Sequence, residues 1–600
     1  HGRGCGRGGA TSSGATSSGA TSSGATSSGA NASVRRLSTM EPDDGFAEAV
    51  QPLGPTALEE KWLGQKAWPT NHIMMMPSEG IALLKEIWKH GIWVSTHFSG
   101  IGMTEAWLSY LDAAVRKLAE KEGIDTSTWQ GLHLTTAAEI NSDAREMLRN
   151  HKFGPRHIHG DICDRWDGVT KARLQQCYQL YQQEFAKLVN PKAAAKTKEA
   201  KSSKLGKPGN DQQQPEADTA DTAAKACAQI GQELKARLDA ILKEGTMLQH
   251  GFCYKCRNYC PHFVAPAQRC GSDATHRATN ALVGNVCTST CVDHSAMGSR
   301  KQCLGPSVLP FVCWGEERRR HGVAKDEDWV IHECTALHPS TTLLQEYFPA
   351  DSHFLFSWVL SPDDFGEPAT RHRIVSVAVG RWRLPSLCAC PRSFRPVHEI
   401  SPKDLFGTKV TGTGAMYFAA SQANVAKHLK ALARKLRIPW QKKSSLAPLA
   451  RKLLSAPYYE RLLDYEAQYN AFTASGISCR TTWDLNQRIE FVGIRAKENK
   501  IPALLQRCHR MWSHDRGRWM LPSEAFAAMS LPWPFESTPS LSNWFPWPAL
   551  VSGSACLSDM KLYSFLGNGF HLVVGSATFL WMVSAFRLAP LAGQVGPQSA

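Results

Sequence analysis

Between residues 81 and 162 the apolar positions switch between two periods. IALLKEIWKHG, from Ile81, carries apolar side chains at helical spacing and stops at Gly91, which predicts an amphipathic helix. IWVSTHF, from Ile92, predicts a buried strand and runs into the glycines of Phe98-Ser99-Gly100-Ile101-Gly102. TEAWLSYLDAAVRKLAEKEG then reads as a helix, LHLTTAAEI as a strand, NSDAREMLRNH as a helix and HIHGDI as a short third strand. Strand and helix in alternation predict an α/β fold with a mostly parallel sheet, Rossmann-like in outline.

The pattern stops near Asp167 and resumes from about 284 to 382, with strand-like ALVGNV, WVIHE and IVSVAVG. Residues 192–225 (KAAAKTKEAKSSKLGKPGNDQQQPEADTADTAAK) are charged, polar and poor in large apolar side chains, which predicts a disordered or loosely helical insertion. Residues 384–515 are irregular, basic and Trp-containing, the texture of a smaller lobe, and 516–586 return to helix-forming sequence. At the start, ATSSG repeats four times from Ala10 to Gly29; with no apolar face to bury, it predicts flexible linker.

Composition changes this picture in three places. The formal charge of +15 fits a polyanionic partner. Eighteen cysteines in 600 residues are too sparse for a disulfide scaffold, which predicts free thiols in a reducing compartment. The longest apolar run, Leu572–Phe586, has about 15 residues where a spanning helix needs ~20, so no membrane is expected.

Candidate chemistry gathers at strand ends. Glycines at 100 and 102, after a strand and before a helix, let a backbone approach a nucleotide-like ligand; an ordinary tight turn is the alternative. Glu139, ending the next strand, can accept both hydroxyls of a ribose, although 37 residues separate it from Gly102 where about 20 is usual. Asp161 ends the third strand, as an adenine-amino acceptor or merely a strand-end cap. Cys291-Val292-Asp293-His294-Ser295-Ala296-Met297-Gly298 follows ALVGNV, and Glu333 closes WVIHE at the functional edge of a parallel sheet. Arg371 and Arg373, two apart in extended chain, project to one side. Cys253, Cys256, Cys260 and His262, with Cys270 further on, have something of a zinc site, against a reading as scattered free thiols. Residues 424–454 contain basic amphipathic helices.

In order and content these sites resemble the cytosine-5 methyltransferases that use S-adenosylmethionine. FSGIG resembles that family's glycine loop, AAEIN its ribose-binding acid, HGDI its adenine-contacting Asp and CVDHSAMG its nucleophile loop. HEC at 332–334 resembles the Glu-Asn-Val segment and FGEPATRHR the arginine motif. MLPSEAFAAMSLP (520–532) resembles the helix closing the recognition lobe, and FLGNGFHLVVGSATFLW (565–581) the last motif, whose Gly-Asn turn completes the cofactor pocket. The matches span most of 92–586, apart from the insertion at roughly 165–280. Thr290, Val292, Cys334-Thr335, Ala369 and Thr96 depart from the family pattern, and they put catalytic competence in question.

The resemblance implies methyl transfer from S-adenosylmethionine to C5 of cytosine in DNA through a covalent Cys–C6 adduct on a flipped base. Cys291 would be the nucleophile, Glu333 the proton donor at N3, and Arg371 and Arg373 would hold the O2 edge, a phosphate and the closed loop. Phe98, Gly100, Gly102, Glu139, Asp161 and Asn568 would bind the cofactor. It implies a disordered tail at 1–40, catalytic parts at 85–165, 281–383 and 516–590, an insertion at 166–280 and a target-recognition lobe at 384–515. The expected partner is DNA, or RNA, and the expected place is the nucleus. The alternatives are an inactive relative that binds nucleic acid or S-adenosylmethionine, and an RNA cytosine-5 methyltransferase.

Overall fold

The computed structural model describes residues 68–151, 154–189, 217–265, 281–289, 293–294, 301–383, 388–439, 445–495, 499–505, 510–531 and 557–585. The repeats at 10–29, Cys270 and Cys291 with its neighbours Thr290 and Val292 lie outside them.

Central strands set the architecture. β1 (Ile92–His97), β2 (Leu132–Ala138), β3 (His157–His159), β6 (Leu282–Thr288) and β7 (Trp329–Thr335) run parallel; β9 (Arg373–Gly380) is antiparallel to β7 and to β8 (His353–Leu360). The sheet order is β3-β2-β1-β6-β7-β9-β8. β6 and β7 are buried along their whole length, as expected of strands covered on both faces, and for that reason they read as apolar runs without alternation. At Gly284 in β6, a Cβ would lie 2.0 Å from the Trp329 ring, so only glycine lets that indole cross the strand. The predicted mostly parallel α/β sheet is the one observed.

One face is closed by the helices Ser78–His90 and Met103–Lys121 and by Leu572–Ala585, every residue of which is buried. A helix apolar all round belongs inside a core. The segment Asp559–Ala585 is long and apolar enough to cross a membrane by length and composition, but 94% of its most apolar window is buried within the chain. Its Trp581 Nε1 donates to the carbonyls of Val397 and Ile400, and Trp581 packs edge-on against Trp358 of β8.

The other face holds two long helices from the stretch set apart as an insertion. Gly168–Val189 and Ala217–Glu244 bring Leu174, Leu234, Leu238 and Leu242 into one buried cluster with Phe311 and Trp314 of the helix Val308–Ala324. Both helices lie within the insertion expected at 166–280 and complete the core, whereas most of the stretch 192–225 expected to be loose lies outside the described residues. A buried aliphatic side chain contributes roughly 1.5–3 kcal/mol, which explains why helices with so many exposed polar positions still dock.

The smaller lobe has its own core. β10 (Thr482–Asp484), β11 (Met511–Ser513) and β12 (Arg518–Trp519) form an antiparallel sheet that packs, through Trp483 and Trp512, on the helices Gln422–Lys435, Leu446–Lys452 and Ala456–Ala474. In Gln422–Lys435 the inward residues are Val425, Leu429 and Ala433, four apart, while Lys427, Lys430, Arg434 and Lys435 are exposed.

Candidate active site

β1 is the point where the strand order turns, because its neighbours are β2 and β6, so a crevice opens at the carboxyl ends of these strands. The chain leaves β1 through Phe98 (φ 56°), Gly100 (φ 55°) and Gly102 (φ 91°), three left-handed residues within five. Phe98 is the costly one, since a Cβ disfavours that conformation. It is held by its N–H to the Ala138 carbonyl (2.9 Å) and by the Thr288 hydroxyl donating to its own carbonyl (2.6 Å). A Cβ at Gly100 would meet nothing within 4 Å, so the loop faces open space.

Glu139 is tied to this loop. Its Oε2 accepts the Gly100 N–H and its Oε1 the Asn141 N–H, both at 2.8 Å. Burial raises its pKa, although these backbone donors and Arg145 pull it back. Asp161 Oδ1 accepts the Cys163 N–H (2.9 Å), so the residue does cap the turn Ile162–Arg165. It also lines a cavity of about 230 Å³ together with Phe98, Ala138, Ile162 and Leu309. Lys171, from the helix that follows Asp161, and Leu309, from a helix remote in sequence, reach the same cavity, and no motif announces either.

Behind the glycine loop, Thr96 stands where the resembling family carries an acid. Its hydroxyl donates to Glu105 Oε1 (2.5 Å), and Ser99 Oγ donates to Thr96 (2.8 Å). The carboxyl it meets comes from the next helix, and burial pushes Glu105 up to about 7. Deeper still, Glu317 is buried against Arg165, with Arg318 Nη2 at 2.9 Å and His97 Nε2 at 3.6 Å. Burial alone would raise its pKa, but the two arginines hold it well below the carboxylate range.

Across the crevice, Glu333 lies two residues before the end of β7. Thr288 is its register partner on β6, and Arg373 sits diagonally on β9, its Nε 3.1 Å from Glu333 Oε1. Burial raises the Glu333 pKa, and Arg373 and then Arg371 oppose the shift. Arg371 is placed differently from Arg373. It precedes β9, is buried, and its guanidinium donates to the carbonyls of Leu504 (2.8 Å), Gly567 (2.9 Å) and Gly569 (2.8 Å). Two of these bonds tie it to the C-terminal turn.

Asn568, between those glycines, is the exposed last residue of the helix Asp559–Asn568. Gly569 lies against Met103, directly after the glycine loop; a Cβ there would be 2.9 Å from Met103 Cγ. The nucleophile candidate Cys291 lies three residues beyond Thr288, outside the described residues. Of the zinc candidates, Cys253, Cys256 and Cys260 come together, but the histidine beside them is His157 of β3. His262 instead packs against His159, ring centroids 4.6 Å apart.

No protein-family model and no curated protein matches the chain. Among solved structures, a candidate DNA modification methyltransferase encoded within a prophage (E. coli) aligns at 10% identity and TM-score 0.33, over 82% of this chain and 98% of its own. Entamoeba histolytica methyltransferase EhMeth aligns at 10% identity and TM-score 0.28, over 82% and 98%. S. pombe Dnmt2 methyltransferase aligns at 12% identity and TM-score 0.30, over 82% and 97%. Scores this low leave the site to be read from its own residues.

Proposed function

We propose that this chain transfers a methyl group from S-adenosylmethionine to C5 of cytosine in DNA. The observation that carries the reading is a convergence at the end of β6: Thr288 pairs with Glu333 on one side and bonds the Phe98 carbonyl on the other. A pocket for a donor and a buried acid therefore flank the strand that leads to Cys291.

The residues fit the cofactor. The Glu139 carboxylate beside an open glycine loop suits ribose hydroxyls, Asp161 suits an adenine amino group, and Phe98, Ile162 and Leu309 offer apolar walls. When bound, S-adenosylmethionine supplies an electrophilic methyl group on a sulfonium. Cytosine C5 is too poor a nucleophile to take it unaided. A Cys291 thiolate adding at C6 puts electron density on C5. Glu333, whose pKa burial raises, gives a hydrogen bond or proton at N3 as charge develops there. Arg373 holds the Glu333 carboxyl and offers its remaining donors to the O2 edge. Loss of the C5 proton to a base then expels the thiolate. Arg371 acts at one remove, by fixing the turn around Asn568.

The base must leave its stack to reach this crevice, at a cost of a few kcal/mol. The exposed Lys427, Lys430, Arg434 and Lys435 of the smaller lobe suit phosphate contacts that offset it. The test is incubation with labelled S-adenosylmethionine and with 5-fluorocytosine DNA. Label should enter duplex DNA, and a denaturation-resistant protein–DNA adduct should form and vanish in Cys291→Ser. Absence of transfer to any duplex while cofactor is bound would overturn the proposal, and transfer to tRNA alone would move the substrate to RNA.

A further inference from the structure

β4 (His250–Cys253) and β5 (Asn258–Pro261) form a two-stranded hairpin with little of its own to hold it. Its aromatic side chains point outward, Phe252 42% and Tyr259 72% exposed, and an isolated hairpin of this size is marginal in water. It is nevertheless fastened to β3. Tyr254 N–H donates to the Ile158 carbonyl (2.7 Å), and Lys255 Nζ to the Pro155 carbonyl (2.7 Å).

At that junction four side chains converge. The ligand atoms of His157, Cys253, Cys256 and Cys260 all lie within 4.8 Å of one another, with Cys256 Sγ 3.4 Å from His157 Nδ1. All three thiols are free of disulfides. Cys253 Sγ accepts two backbone N–H groups, from Cys256 and Ile158, each at 3.3 Å. Paired N–H donors of this kind suit a sulfur carrying negative charge and orient it as a ligand. The turn is built for the purpose. Arg257 is left-handed (φ 57°) and its N–H closes on the Cys253 carbonyl (2.9 Å), which brings two cysteines three apart to face one point.

We infer that these residues form a structural zinc site of the Cys₃His type, joining the insertion to the edge of the main sheet. Three thiolates and an imidazole match zinc in softness and number, and a set of four protein ligands leaves no open position for catalysis. Tetrahedral ligands at ~2.3 Å from zinc stand about 3.8 Å apart, so the cluster needs to contract by roughly 1 Å at its widest. The His157 ligand comes from β3, about a hundred residues before the cysteines, so no local spacing rule could include it. Beyond anchoring the hairpin, the metal would brace the crevice wall. Tyr254, between the first two cysteines, lies against Gly160, where a Cβ would be 3.3 Å from its ring. The Arg145 guanidinium stacks on the same ring (4.0 Å) and donates to the Glu139 carbonyl.

The experiment uses the full chain, with metal content measured by mass spectrometry after purification and after reconstitution with zinc. One zinc per chain is expected, and cobalt in its place should give the sulfur-to-metal charge-transfer bands of a tetrahedral thiolate site. Cys256→Ser and His157→Ala should each lose the metal, while Cys479→Ser keeps it. Because those variants could fail to fold, alkylation of wild-type Cys256 is followed with and without chelator. Bound zinc should slow alkylation of this exposed thiol roughly tenfold or more. A chain without zinc after reconstitution, an alkylation rate indifferent to chelator, or a disulfide among the three cysteines would each overturn the inference.

Discussion

Thr288 and Glu333 are opposite residues in the β6–β7 ladder, and the Thr288 hydroxyl also bonds the Phe98 carbonyl at 2.6 Å. One threonine thus sets the spacing between the glycine loop and the buried acid. If Glu333 is the proton donor, Glu333→Gln lowers the rate by about 10²–10⁴. Its carboxyl pKa lies above the ordinary range, so it stays protonated below that raised value and loses its proton as pH rises through it. The wild-type rate should carry an alkaline limb from this group, and the Gln variant should lack it. A variant that kept the limb would remove Glu333 from the role.

Arg371 predicts a different outcome from its neighbour. Arg371→Met strips donors from three buried or part-buried backbone carbonyls and should cost on the order of 3 kcal/mol of stability in urea unfolding. Early proteolysis within 557–585 should accompany it. Arg373→Met leaves the fold nearly as stable and reduces the rate. Equal unfolding midpoints for Arg371→Met and wild type would show that the clamp contributes nothing.

Glu105 should be legible in the pH dependence of stability. Its folded pKa of about 7 exceeds the ordinary 4.5, so the native state binds the proton more tightly. The stability this provides is full below pH ~4.5 and declines as pH rises to ~7, by about 3 kcal/mol in all. Glu105→Gln should flatten that window relative to wild type. A parallel decline in both proteins would place the titration elsewhere.

The central sheet was legible because β1, β2, β6 and β7 are short apolar runs bounded by glycines and polar turns. The candidate acids are legible because they lie near strand ends: Glu139 follows β2 directly, Asp161 stands two residues after β3 and Glu333 two before the end of β7. β8 was not picked out, because as an edge strand its burial is partial and follows no clear period. The helices Gly168–Val189 and Ala217–Glu244 give only a weak periodic signal, because their buried leucines are few and widely spaced among charges. Arg371 and Arg373 have different surroundings because the i, i+2 rule needs a regular strand, and β9 begins only at Arg373. His157 and Leu309 carry no local signal at all; only the sheet order brings them to their clusters.

The helix Leu572–Ala585 fills the space beneath Trp107 and Trp88, and Gly575 is the notch into which the Trp107 indole fits, a Cβ there coming within 2.7 Å. That keystone is synthesised more than four hundred residues after the indoles it covers. During translation the first half of the sheet must wait on the ribosome with its greasy side bare. Shielding by a chaperone, or a slow final collapse after release, becomes part of how this polypeptide reaches its folded form, and a premature stop before 572 would leave an aggregating product instead of a smaller folded protein.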